Sequence, residues 1–223
     1  STTAAMMLRG AGPFDRAAFS EHLERLGGHL DIGLTRESIC VDGELLTRLS
    51  NEWFNLLELA LFHPSFREKE LAKYIKQQIS ELYEVLDSDE GLGAMAFQRA
   101  LLSPDRRTSP SRGTPQSLRN ISAADVRACH AELIQRGRLT FGVCGNITTT
   151  VRDRLHSMLE SFPASDTVQT DTHSDSKVDD LDIWVIDKPD RSQSQLFLGT
   201  LAPPIHSAHY PGLCIAASAF GGM

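Results

Sequence analysis

Positive charge is in short supply in this sequence. Lys and Arg number 22 against 29 Asp and Glu, a net charge of −7. The basic residues are scattered, so no stripe is available to neutralise a phosphate backbone, which argues against a nucleic-acid partner. Long hydrophobic runs are missing too. None approaches the roughly 20 apolar residues that a membrane-spanning helix needs. Cysteine is sparse: Cys40, Cys129, Cys144 and Cys214 stand alone, with no CxxC pair, which excludes the spacings of zinc fingers and ribbons. Three of them lie in apolar stretches and read as buried free thiols. Ser1 to Leu8 is apolar and uncharged. It lacks a basic start and a cleavage pattern, so it does not read as a signal peptide.

Two further motifs are wanting. The run SRGTPQS has glycine and hydroxyls but no preceding strand and no Gly-Lys-Ser/Thr ending, so it is not a phosphate loop. Ser192 has no flanking glycines of a nucleophile elbow. Of the eight histidines, His206 and His209 are three apart but follow Pro203-Pro204, and they read as surface residues of a loop or helix start. The others (His22, His29, His63, His130, His156 and His173) are isolated. Arg106, Arg107 and Arg112 read as a solvated loop cluster able to meet an acidic partner.

What is present is ordinary globular composition, 41% hydrophobic and 23% charged over 223 residues, enough for one sizeable domain or one domain and part of another. Pro13-Phe14-Asp15 opens a predicted helix carrying Phe19, Leu23 and Leu26, with Gly27-Gly28 as its left-handed stop. Residues 29–35 and 38–46, separated by Arg36-Glu37, alternate like a half-buried hairpin. Residues 49–63 are apolar around a wide arc, predicting a helix buried on more than one side, which Pro64 ends. Leu71, Ile75, Ile79, Leu82 and Val85 give residues 68–86 one apolar helical face. Helices are also predicted over 89–102, from a Ser122/Asp125 capping box to about Gln135, from Thr149 or Thr150 to about Phe162, and over 210–220. Strands are predicted over 138–144, 182–187 and 192–201. Residues 103–115 read as a loop, and 163–180, rich in Ser, Thr and Asp, as a linker.

Four stretches, in this order, resemble one repeated module of the insulinase/pitrilysin (inverzincin) metallopeptidase superfamily, which includes the mitochondrial processing peptidases. MMLRGAGPFDRAAFSEHLERLGGHLDIGLTRES is similar to a helix ending at a small-residue-Gly turn, then a second helix and a strand pair. LLELALFHPSFREKELAKYIKQQISELYE resembles the P-x-F entry to the family's long helix. SRGTPQSLRNISAADVRACHAEL with LTFGVCGNI resembles its G-T-x-x-S-I segment and following strand. VIDKPDRSQSQLFLG through HYPGLCIAASAFGGM resembles the opening of the next module.

The resemblance implies an α+β fold with an antiparallel sheet and helices packed on one face. It implies most of one module in residues 1–165 with its first strands missing, a linker at 166–180, and the start of a second module at 181–223, a fragment at both ends. Active members hold zinc with an H-x-x-E-H motif on a helix, two imidazoles one turn apart and a glutamate acting on the bound water. The matching positions here are Ser1 for the first histidine, Ala4 for the general base and Ala5 for the second histidine. None can ligate zinc or move a proton. The third ligand, a glutamate about 75 residues further on, falls on Glu81, a vestige at best and otherwise an ordinary helix surface charge. An Arg and Tyr that hold substrate backbone in the family would lie just beyond Gly221-Gly222.

The expectation is therefore a non-catalytic subunit or domain with no cofactor of its own, zinc belonging to active relatives. It would assist peptide binding or chamber formation with a zinc-bearing homologous partner, or by self-association. Two alternatives stand beside it: a fragment of an active zinc metalloendopeptidase, and a structural core subunit of a larger complex. A periplasmic or cell-envelope location follows from the resemblance alone.

Overall fold

The computed structural model describes residues 1–35, 38–102, 112–136, 140–163 and 182–221. Arg36-Glu37, the 166–180 linker, Arg106, Arg107, His173 and most of the 103–115 loop lie outside these. The chain divides into two compact units, residues 1–83 with 111–171, and 84–110 with 172–223.

The first unit opens with helix α1 (Thr2–Met7), which the pattern of residues 1–8 did not announce. A two-residue strand pair follows, β1 (Gly10–Ala11) against β2 (Phe14–Asp15). Phe14-Asp15 therefore belongs to a strand rather than to the helix. Asp15 then caps α2 (Arg16–Arg25) by accepting from Ala18 N–H at 2.9 Å, and Gly27, at φ +59°, supplies the expected left-handed stop. The hairpin is β3 (His29–Leu34) antiparallel to β4 (Ile39–Glu44), with Leu30 and Ile32 turned into the core. After a 3-10 turn (Thr47–Leu49), α3 (Ser50–Phe62) buries Trp53, Phe54, Leu56, Leu57, Ala60 and Leu61. Its predicted burial on more than one side is what the structure has. Each such large apolar side chain contributes roughly 1.5–3 kcal/mol.

Pro64 ends α3. Ser65 N–H then donates to Gly10 O at 2.9 Å, and Gly12 N–H to His63 O at 2.8 Å, which ties the turn after α1 to the turn after α3. Phe66 takes a positive φ of +42° and is buried edge-on to His130, whose Nε2 lies 2.8 Å from Leu61 O. α4 (Glu68–Asp87) follows. α6 (Pro115–Arg119), unforeseen, starts at a Thr114/Ser117 capping box. α7 (Ala123–Arg136) begins at the predicted Ser122/Asp125 box, with Ser122 N–H donating to Asp125 Oδ2 at 2.9 Å. α8 (Thr149–Ser161) is capped by Thr148, one residue earlier than expected. It is pinned to α3 by Arg154, which donates to Asn55 Oδ1 at 2.8 Å and pairs with Glu58 at 3.1 Å.

The second unit contains α5 (Asp89–Leu102), an irregular run over 182–201 with a turn at Pro189-Asp190, and α9 (Tyr210–Gly221). Lys188 Nζ reaches the Asp87 carbonyl and Asp89 Oδ1, both at 2.7 Å, and Arg191 pairs with Asp87 at 3.2 Å. The rings of Phe97 and Phe197 stack at 6.2 Å.

Two expectations need correction. The described parts of 138–144, 182–187 and 192–201 are not strands. Alternation reports one-sided burial, whereas a strand needs a neighbour for its backbone, and among the described residues these segments have none. The sheet content is accordingly two small antiparallel pairs among helices, an α+β arrangement. Finally, the three cysteines expected to be buried are, like the fourth, exposed.

Candidate functional site

The positions where active relatives would hold zinc fall on α1 and α4. α1 forms because six residues without Gly or Pro follow Ser1, which takes the N-cap position without a side-chain bond. Ala4, with 3% of its surface exposed, turns its methyl into the hydrophobic core with Met6 and Met7, and Ala5 packs partly against the same core. The position of the general base is thus occupied by a packed methyl group.

Glu81 lies on α4, two-thirds buried. Its Oε1 accepts from Gln77 Nε2 and its Oε2 from Gln78 Nε2, each at 2.9 Å, and Arg112 Nη1 stands 3.7 Å from Oε2. None of these partners comes from α1. Its carboxylate is therefore satisfied by two amides and a guanidinium, groups that donate hydrogen bonds and cannot ligate a cation through their donor nitrogens. Zinc does not fit this donor set. Among the described residues no three His, Cys, Asp or Glu side chains converge closely enough to hold a metal.

Around Glu81 the structure assembles a polar stripe that sequence reasoning missed. Glu70, Tyr74, Gln77 and Glu81 recur at i, i+4, i+7 and i+11 on α4, one helical face. Arg9, one residue past the C-cap of α1, lies 4.8 Å from the Tyr74 ring centroid and donates to Gln77 Oε1 at 3.5 Å. Burial pushes the Tyr74 phenol up, opposed by the Arg9 charge. The Lys73 hydrogen bond holds the Glu70 carboxyl below the usual carboxylate range, helped by Lys73, Arg16 and Arg9 charge. The 3.6-residue recurrence of polar groups was the available signal. Of the expected apolar face of α4, Leu71 and Leu82 are buried, but Tyr74 joins them while Ile75 and Ile79 stay half-exposed. The buried stripe is therefore rotated toward Tyr74. His206 and His209 belong to the second unit, in a turn before α9.

The hairpin supplies the other candidate surface. β3 and β4 pair with each other from His29↔Glu44 to Leu34↔Ile39, and among the described residues neither has a second strand neighbour. A strand with one neighbour is the kind of edge to which a further strand can add.

The family model described as the Peptidase M16 inactive domain matches residues 120–223. The uncharacterized zinc protease YmxG of Bacillus subtilis (strain 168) is 21% identical over 159 residues, 71% of this chain and 39% of that protein. Three solved structures share the fold. The Peptidase M16 inactive domain from Pseudomonas fluorescens is 21% identical, covers 58% of this chain and 32% of its own, and has a TM-score of 0.55. A protease from Helicobacter pylori (14% identical, 78% and 44%) and the ferredoxin protease FusC in complex with Arabidopsis ferredoxin (13% identical, 77% and 19%) both have TM-scores of 0.62. The chain thus spans less than half the length of each of these proteins. Residues 120–223 thus match the Peptidase M16 inactive domain, and the chain shares its fold with solved proteins of that kind.

Proposed function

We propose that this chain is a non-catalytic part of a zinc-peptidase-like assembly, which binds extended peptide along an open edge of the β3–β4 hairpin while a zinc-bearing homologous partner cleaves it. The observation that carries the reading is Ala4, whose methyl is packed into the core where hydrolysis would require a proton acceptor. The match of residues 120–223 to a domain described as inactive supports it, as does the hairpin's unshared edge. Backbone hydrogen bonds to an added strand would give affinity with little demand on side-chain identity. The fold neighbours include proteases, one of them solved with a protein bound, which is the kind of substrate such an assembly would enclose. The same kinship motivates a periplasmic or envelope location for a bacterial source, testable by fractionation.

The test uses the chain alone and with a homologue carrying the intact histidine motif. The chain alone, incubated with zinc and a fluorogenic peptide, should give no chelator-sensitive cleavage and retain no stoichiometric zinc. Hydrogen exchange with an extended peptide should protect β3 or β4 amides, and adding the homologue should confer chelator-sensitive hydrolysis. Stoichiometric zinc or cleavage by the chain alone would sink the proposal.

A further inference from the structure

In an acidic protein, one cleft of the first unit collects positive charge. It measures about 600 Å³ and lies between the start of α2 and the start of α4, lined by Arg16, Arg67, Lys69 and Lys73 with Asp15 and Glu70. Each of its two carboxylates has one oxygen engaged, while Glu70 Oε2 is buried without a hydrogen-bond partner among the described residues. Asp15 caps α2 through Ala18 N–H, and Glu70 Oε1 accepts from Lys73 at 2.8 Å. That leaves Arg16, Arg67 and Lys69, all exposed and with no ion pair among the described residues. Arg9 adds a further cation beside the cleft, its charge acting on both Arg16 and Glu70. The like charges repel, and an anionic guest relieves that repulsion.

We propose that this cleft is a docking site for an acidic polypeptide segment whose carboxylates pair with Arg16, Arg67 and Lys69. A compact anion such as phosphate would want convergent, buried donors. Here the cations are exposed and spread over two helices, with Asp15 and Glu70 interleaved, an arrangement suited to charges distributed along a chain. The site is separate from the hairpin edge of the proposed peptide-binding reading, and either can fail without the other.

Fluorescence anisotropy with a labelled Glu/Asp-rich dodecapeptide tests it, using the full chain and a Lys-rich peptide of equal length as comparison. The acidic peptide should bind, and affinity should fall as salt is raised from about 50 to about 200 mM, because exposed charges are screened over roughly 8–10 Å. The double variant Arg67→Glu/Lys69→Glu should weaken binding about tenfold, several exposed pairs being lost and replaced by repulsion. Arg127→Glu, on α7 and outside the cleft lining, should leave it unchanged, and circular dichroism melts should show both variants folded. Indifference to the double variant, equal binding of the Lys-rich peptide, or capture of inorganic polyphosphate or anionic vesicles without the acidic peptide would each overturn the proposal.

Discussion

Gly93 on α5 lies under the ring of Phe197, so closely that a methyl group in place of its hydrogen would sit 2.4 Å from a ring carbon. The ring stacks in turn on Phe97, whose own ring would lie 2.8 Å from a methyl group placed on Gly199. Two glycines and two phenylalanines thus interlock reciprocally. Helix propensity alone would favour Gly93→Ala by about 1 kcal/mol. Overpacking costs about 1–3 kcal/mol, so the expected net effect is destabilising. In a Phe197→Ala background the sign should reverse. Denaturant unfolding of the four proteins in this cycle measures it, and an unchanged sign would show that the two residues do not meet.

Restoring the family's general base should damage the fold. Ala4→Glu would put a carboxylate in a position with 3% exposure, among the methionines of α1. An unpaired buried charge costs roughly 3–5 kcal/mol. Ala5→His, at the rim of the same core, should cost only about 1 kcal/mol. Urea midpoints of the two variants separate these outcomes. Equal, small losses would mean that the α1 surface is open to solvent.

Three carboxyls sit below their ordinary range: Glu70 through the Lys73 hydrogen bond, Asp89 through Lys188, and Asp125 through the Ser122 hydroxyl and backbone. In each, the folded pKa lies under the unfolded one, so the unfolded chain takes up more protons on acidification. The stability they supply is complete above the unfolded values of roughly 4 and fades as pH falls through the folded ones. Melting temperatures should therefore drop below about pH 4. The gap between the parent and Asp89→Asn should be widest at neutral pH and close in acid. A gap that widens on acidification would contradict the sign.

Local rules carried much of the fold. The Ser122/Asp125 box, the Gly27 stop and the hairpin all rest on neighbours in sequence, and the structure has each. α5 was predicted over the residues it occupies. What failed needed distant partners. Residues 138–144, 182–187 and 192–201 read like strands, but a strand is defined by its neighbour. The partners of the α4 polar stripe were hidden, because Arg112 beside Glu81 and Arg9 beside Tyr74 are distant in sequence. The motif positions Ser1, Ala4, Ala5 and Glu81 could be located by alignment to the family pattern. Sequence did not disclose that Ala4 is packed among methionines or that amides of Gln77 and Gln78 hold Glu81.

The two tryptophans fall one to each unit. Trp53 is buried under the hairpin, its indole N–H donating to His29 O at 3.2 Å and its ring edge-on to Phe54. Trp184 is 59% exposed, its indole held by Asp182. Their emission should therefore separate, blue-shifted from the sheltered indole and red-shifted from the hydrated one. Single Trp→Phe replacements would turn the molecule into its own pair of optical reporters, able to reveal whether the halves melt together or in turn.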